Sequence, residues 1–132
     1  MKAQAYLDAI KLKLATSPIV READVVQERS LEDRGFFRAR LRLVNDDFVE
    51  VAEFFVIDEG QVQTVEYRYQ WMDSGKGRLR KRWDNASHYP GLPNFPHHVH
   101  IEDENTVEPG QPMGIAAFID GLERAMGGTG GS

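Results

Sequence analysis

FRARLRL, residues 37–43, alternates Phe37, Ala39, Leu41 and Leu43 with Arg38, Arg40 and Arg42. A strand sends successive side chains to opposite faces, so this period of two predicts a strand with one apolar and one solvated face. The pattern continues downstream. Asn45-Asp46-Asp47 turns the chain, and Phe48 to Ile57 reads as the next strand, its later half (Phe54-Phe55-Val56-Ile57) apolar on both sides as in a central strand. Asp58-Glu59-Gly60 closes that hairpin. Gln61 to Trp71 then sets Val65, Tyr67, Tyr69 and Trp71 against Glu66, Arg68 and Gln70. After a turn over Asp73 to Gly77, Arg78 to Trp83 sets Leu79 and Trp83 against Arg80 and Arg82. Successive hairpins of this kind make an antiparallel meander.

Upstream, Val25 and Val26 suggest a first strand between Ile19 and Arg29, with Glu32-Asp33-Arg34-Gly35 as its turn. Residues 3 to 16 place Tyr6, Leu7, Ile10 and Leu14 at helical intervals, and Ser17-Pro18 stops the helix. Past the meander, His97 to Ile101 reads as a short edge strand. Pro112 to Met126 reads as a last helix through Ile115, Phe118, Ile119 and Leu122. The expected fold is therefore α+β, with an antiparallel meander sheet of five to six strands and an N-terminal and a C-terminal helix packed on one face. One domain over 1–126 is expected, with 127–132 (GGTGGS) a flexible Gly-rich tail.

Pairing each hairpin about the centre of its turn puts Arg42 opposite Glu50, Glu50 near Arg68, and Arg68 opposite Arg82, all on one face. That face is either an ordinary solvated surface or the floor of a site. The opposite face, with Phe37, Leu41, Val51 and Tyr67, is expected to meet the helices.

Composition narrows the function classes. The chain has 132 residues, 41% hydrophobic and 28% charged, which suits one globular core and so one site. It has no cysteine, which removes disulfides, thiolate nucleophiles and cysteine zinc ribbons, and fits a reducing cytoplasm. Asp8, Lys11 and Lys13 interrupt the apolar positions of the first helix, so neither a signal peptide nor a membrane span is expected there. A net charge of −5 argues against binding nucleic acid by bulk electrostatics, yet arginines cluster between Arg34 and Arg42 and between Arg78 and Arg82.

The chemistry concentrates further along. All four histidines, His88, His97, His98 and His100, lie on or after a proline-rich stretch from Asp84 to Pro96. Histidine changes charge near neutral pH, which makes the cluster a candidate for acid/base work or metal binding. On an extended stretch His98 and His100 point to one side and His97 to the other. A metal centre would draw on His88, His98 and His100, with Asp84, for zinc or another divalent ion. A metal-free site would cleave RNA, one histidine taking the 2′-hydroxyl proton, another protonating the leaving 5′-oxygen, and Arg82 steadying the phosphorane.

Arg68, Tyr69, Asn85 and Tyr89 are the candidates for holding substrate, and Tyr69, Trp71, Trp83 and Tyr89 for stacking a base. Each has a structural alternative. Tyr67, Trp71 and Trp83 suit a core; Asp84 and Asn85 suit turn caps; Glu102-Asp103-Glu104 suits an exposed acidic turn. A non-enzymatic binding module whose histidines cap loops or meet a protein partner is the competing class.

The run from Tyr67 to His100, YRYQWMDSGKGRLRKRWDNASHYPGLPNFPHHVH, resembles the TumE family of small toxins from toxin–antitoxin modules. The resemblance rests on Tyr-x-Tyr-x-Trp, Arg-Trp-Asp-Asn-Ala, His88 and Pro-His-His-x-His, and extends through Val107-Glu108-Pro109 into the last helix. It implies a cytoplasmic toxin encoded beside a small helix-turn-helix antitoxin that binds it and represses the shared operon. It assigns no catalytic residue. Arg82, Asp84, His88, His97, His98 and His100 are candidates for catalysis on chemical grounds alone. Two positions depart from the family motif, which carries proline where Ser87 stands and a second histidine where Tyr89 stands.

Overall fold

The computed structural model describes residues 1–126; the tail expected over 127–132 lies outside the described residues. The chain runs α1 (Ala3–Thr16), β1 (Val20–Ser30), β2 (Arg34–Leu43), β3 (Phe48–Asp58), β4 (Gln61–Met72), β5 (Leu79–Asp84), β6 (His98–Ile101), β7 (Val107–Pro109) and α2 (Ile115–Met126). The strands form one sheet in the order β1-β2-β3-β4-β5-β6-β7, each antiparallel to its neighbours. The α+β meander expected from the sequence is therefore observed, with seven strands in place of five or six. The added strand, β7, is only Val-Glu-Pro, too short to show alternation.

Alternation fixes which face each residue joins. Phe37, Ala39, Leu41 and Leu43 of β2, Val49, Val51 and Phe55 of β3, and Tyr67 and Tyr69 of β4 are buried. They form the core together with Ala3, Leu7, Ile10 and Leu14 of α1 and Ile115, Phe118, Ile119 and Leu122 of α2. Trp71 and Trp83 pack against that core from its margin, as their structural alternative required. Both helices thus cover one face. They are tied to each other by Lys13 Nζ to Asp120 Oδ1 at 2.5 Å and by Ser17 Oγ donating to Glu123 Oε2 at 2.7 Å.

One carboxylate interrupts the apolar face. Glu53, in step with Val49, Val51 and Phe55, is fully buried. It accepts hydrogen bonds from the Tyr6 hydroxyl at 2.9 Å, the Thr64 hydroxyl at 2.6 Å and the Ile115 amide at 3.1 Å. The last contact satisfies a free N–H at the start of α2, where negative charge is favoured. Glu53 thereby joins α1, β3, β4 and α2. Burial pushes its carboxyl pKa up, partly offset by these hydrogen bonds.

The register differs from the one expected. Arg40, not Arg42, faces Glu50; Glu50 faces Gln70; Arg68 faces Asp84, not Arg82. The first hairpin closes tightly, with Asp46 in the left-handed region (φ 74°) and the Leu43 amide donating to Asp47 O. A bulge between Trp71 and Met72 shifts the β4–β5 pair. Each offset is two residues, so the paired side chains keep their expected faces. Val65, expected on the Tyr67 side, does not: a bulge opposite Phe54 and Phe55 leaves it exposed and gives the core position to Thr64, which bonds Glu53.

Candidate functional site

The face away from the helices carries two parallel rows across the strands. One runs Arg38, Ala52, Arg68, Asp84, His98, Pro109. The adjacent row runs Arg40, Glu50, Gln70, Arg82, His100, Val107. Arginines that are scattered in sequence therefore line up on one surface of an acidic protein. Glu50 takes Arg38 and Arg40 at 2.8 and 3.4 Å, and their charges hold its carboxyl below the usual range against the upward push of burial. Arg68 is exposed, and its guanidinium donates to Gln70 Oε1 at 3.0 Å, with no ion pair among the described residues.

The loop between β5 and β6 stands over the second half of these rows. Asp84 Oδ1 accepts the Ala86 amide at 3.0 Å, the turn cap its structural alternative required. Asn85 is spent on the backbone of β4: its Oδ1 accepts the Tyr67 amide and its Nδ2 donates to Val65 O. Farther along, Asn94 Nδ2 donates to Gly110 O, and the Gly110 amide donates to His97 O. A Cβ on Gly110 would stand 3.0 Å from the His98 amide nitrogen, so a larger residue would push the chain after β7 a few tenths of an ångström away from β6.

Between loop and sheet lies an open pocket of about 700 Å³, bordered by Arg68, Arg82, Asp84, His88, Tyr89, His100 and Glu104, with Phe36 and Phe54 on its floor. His88 is exposed and Tyr89 half-buried. The Tyr89 ring lies edge-on over His98 and His100, 4.9 and 5.9 Å between ring centres. Beneath it His98 and His100 are 1% and 3% exposed.

Both buried imidazoles are held the same way. His98 Nδ1 is 2.9 Å from Pro96 O, and His100 Nδ1 is 3.1 Å from Glu104 O. A carbonyl oxygen only accepts, so each Nδ1 carries the proton and each Nε2 faces inward. The inward atoms meet Asp84: His98 Nε2 is 2.9 Å from Oδ1, and His100 Nε2 is 3.9 Å from Oδ2. The first separation is short but the alignment is not that of a hydrogen bond, and His98 Nε2 is a buried atom with no hydrogen-bond partner. Burial, and then the charge of Arg82, pushes the His100 pKa down, which favours the neutral ring.

Arg82 is heavily engaged. It bonds both oxygens of Glu104, at 2.6 and 2.5 Å, while its Nε lies 3.3 Å from Asp84 Oδ2. The hydrogen bond from Arg82 holds the Glu104 carboxyl below its ordinary value. Glu104, read from the sequence as part of an exposed acidic turn, is thus also the lid of the Arg82 charge.

Of the ten candidate residues, Arg68, Arg82, Asp84, Asn85, His88, Tyr89 and His100 line this pocket, and His98 is buried beside them under Tyr89. Two lie away from it, and Asn85 borders it with its amide already engaged. His97 turns to the helix-covered side, its ring stacked on Tyr67 at 5.8 Å and its Nδ1 2.9 Å from the Tyr67 hydroxyl. Tyr69 is fully buried in the core and donates to Met113 O, so it cannot meet a base. Asn85 has both ends of its amide occupied. The aromatic floor comes instead from Phe36 and Phe54, cross-strand partners on the open face. Their signal was present in the apolar pairs Phe36-Phe37 and Phe54-Phe55, because a strand apolar on both sides needs a hydrophobic surface on both. Gly110 has no comparable signal.

The expected metal set also changes: Asp84, His98 and His100 bring their ligand atoms within 4.8 Å of one another, and His88 stays outside that group at the rim. Among the described residues, no helix is long and apolar enough to cross a membrane.

The protein family described as Toxin TumE matches residues 9–126, nearly the whole described chain. No curated protein and no solved structure matches it.

Proposed function

Because the chain belongs to the TumE toxin family, the toxin side of a toxin–antitoxin pair, we propose that it acts on RNA, drawing a strand across the arginine rows and cleaving it at the pocket. The observation that carries this reading is the pocket itself, which exposed Arg68 and His88 both border together with Phe36 and Phe54. Arg68 attracts the phosphate, and Phe36, Phe54 and Tyr89 offer surfaces for a base. His88, open to solvent, takes the 2′-hydroxyl proton; the 2′-oxygen attacks phosphorus; the 5′-oxygen leaves with a proton from pocket water, giving a 2′,3′-cyclic phosphate. Arg82 steadies the phosphorane once Glu104 yields it.

The family implies an antitoxin partner. Its helix-turn-helix type and a cytoplasmic place of action belong to the same proposal, supported by the family motifs between Tyr67 and His100.

The test uses the full chain with total RNA, and induced expression with and without the adjacent reading frame. Growth arrest relieved by that frame, with new 2′,3′-cyclic phosphate ends, is the expected result. His88→Ala and Arg68→Ala should each lower cleavage at least about tenfold, a barrier change of about 1.4 kcal/mol. Both side chains are exposed, so the melting temperature should not move. Growth arrest with intact RNA would overturn the reading.

A further inference from the structure

Proton transfer at His88 leaves a cluster of buried ionisable side chains beside the pocket without a task. Asp84, His98 and His100 are 7%, 1% and 3% exposed, and such burial of three ionisable side chains is costly unless each is paired, hydrogen-bonded or bound to a metal, which His98 Nε2 is not. The β5–β6 pairing sets Asp84 directly opposite His98, with His100 two residues on along the same face. Both Nδ1 atoms donate to backbone carbonyls, of Pro96 and Glu104. Both Nε2 lone pairs therefore turn toward one carboxylate, within a group no more than 4.8 Å across.

We propose that Asp84, His98 and His100 bind one divalent transition-metal ion of the zinc class. Four features point the same way. His98 Nε2 is buried without a hydrogen-bond partner, and an ion is an acceptor-side partner for it. The carbonyl clamps on Nδ1 are the outer contacts that fix a metal-binding imidazole in tautomer and angle. Two imidazoles and one carboxylate favour zinc-like ions over magnesium or calcium, which take oxygen ligands. Three protein ligands leave a fourth position, and Asp84 and His100 both border the pocket from which it would be reached. The backbone amide of Ala86, the Nε of Arg82 and the Tyr89 ring surround the group, so its charge is already partly balanced.

Binding stands on this geometry alone; its use rests on the RNA reading above. A bound ion would supply a Lewis acid beside the phosphate that Arg68 attracts. His88 keeps its proton chemistry because it is not in the ligand group.

The test titrates chelator-treated full chain with Zn²⁺ by calorimetry and with Co²⁺ by visible absorption. One equivalent should bind, and the melting temperature should rise with free metal. Asp84→Asn and His98→Gln should weaken binding by more than the roughly 10–100-fold that loss of a mere outer contact causes. His97→Gln, on the opposite face, should bind as the parent does. Should the buried variants fail to fold, zinc-edge X-ray absorption of the unmodified chain decides, with two imidazole ligands expected. No binding, or binding with fewer than two imidazoles, would overturn the proposal. Cleavage that persists in chelator would leave the RNA reading standing and remove the ion from it. One bound equivalent without RNA cleavage would do the reverse.

Discussion

Among the described residues, two strand carboxylates of this sheet are buried, one on each face, and their surroundings differ in kind. Glu53 lies among neutral donors, the hydroxyls of Tyr6 and Thr64 and the amide of Ile115, which leave no oxygen wanting. Asp84 lies among groups that carry or exchange charge, with Arg82 at 3.3 Å and the Nε2 atoms of His98 and His100 turned toward it. The Glu53 carboxylate is fully buried and bonded to both helices, whereas the Asp84 carboxylate lies on the open face among the histidines. Saturation by neutral donors marks a structural joint. Converging lone pairs beside a pocket mark a place where something binds.

The contrast can be broken most forcefully at Glu53. Glu53→Ala removes the acceptor of three donors at once, and an unsatisfied buried donor costs about 1–3 kcal/mol. A loss of about 3 kcal/mol or more in denaturant unfolding is expected, with toxicity falling only as far as folded protein falls. Asp84→Asn should behave oppositely. It keeps the Ala86 contact and the shape, so stability should change by less than about 1 kcal/mol while cleavage falls at least about 100-fold. Equal stability losses at the two positions would erase the distinction.

Glu53 also predicts a pH effect. Its carboxyl holds a proton more tightly in the folded than in the unfolded chain. That contribution to stability is fully present below the unfolded value, about 4.3, and is lost as pH rises through the raised folded value. Unfolding measured from pH 4 upward should therefore show a fall that Glu53→Gln flattens.

The fold was legible from side-chain parity and little else. Alternation from Phe37 to Leu43 and from Tyr67 to Trp71 assigned faces correctly even where the hairpin register was two residues off, because an even slip preserves parity; it failed at Val65, where a bulge adds one residue and exposes the side chain. It also separated His97 from His98 and His100. Parity also marks Glu53, which shares its phase with Val49, Val51 and Phe55, since a charge in an apolar phase must be met by donors. The site was less legible. Nothing in Asn85 to Pro96 repeats, so the return that pairs Asp84 with His98 has no periodic trace, and β7 is too short to leave one.

Smaller effects sharpen the comparison on the Asp84 side. Gly110→Ala places a methyl group against the backbone of His98 and should cost about 1–3 kcal/mol, read as a lower melting temperature with weaker metal binding. Glu104→Gln should hardly change stability, since its side chain is largely exposed and such pairs contribute about 0–1 kcal/mol. It should instead tighten RNA binding a few-fold at low salt by releasing Arg82, and lose that advantage as salt rises.

The meander order of the sheet has a consequence for how such a protein is made. Each strand pairs with the one just before it, so a chain leaving the ribosome can add strands in the order of synthesis. Asp84 gains its histidine neighbours only when β6, the next-to-last strand, has emerged and paired. A chain that stops short of His98 lacks both imidazoles of the centre and also α2, which covers part of the core. The proposed site and the finished core are therefore completed by the same last third of the chain.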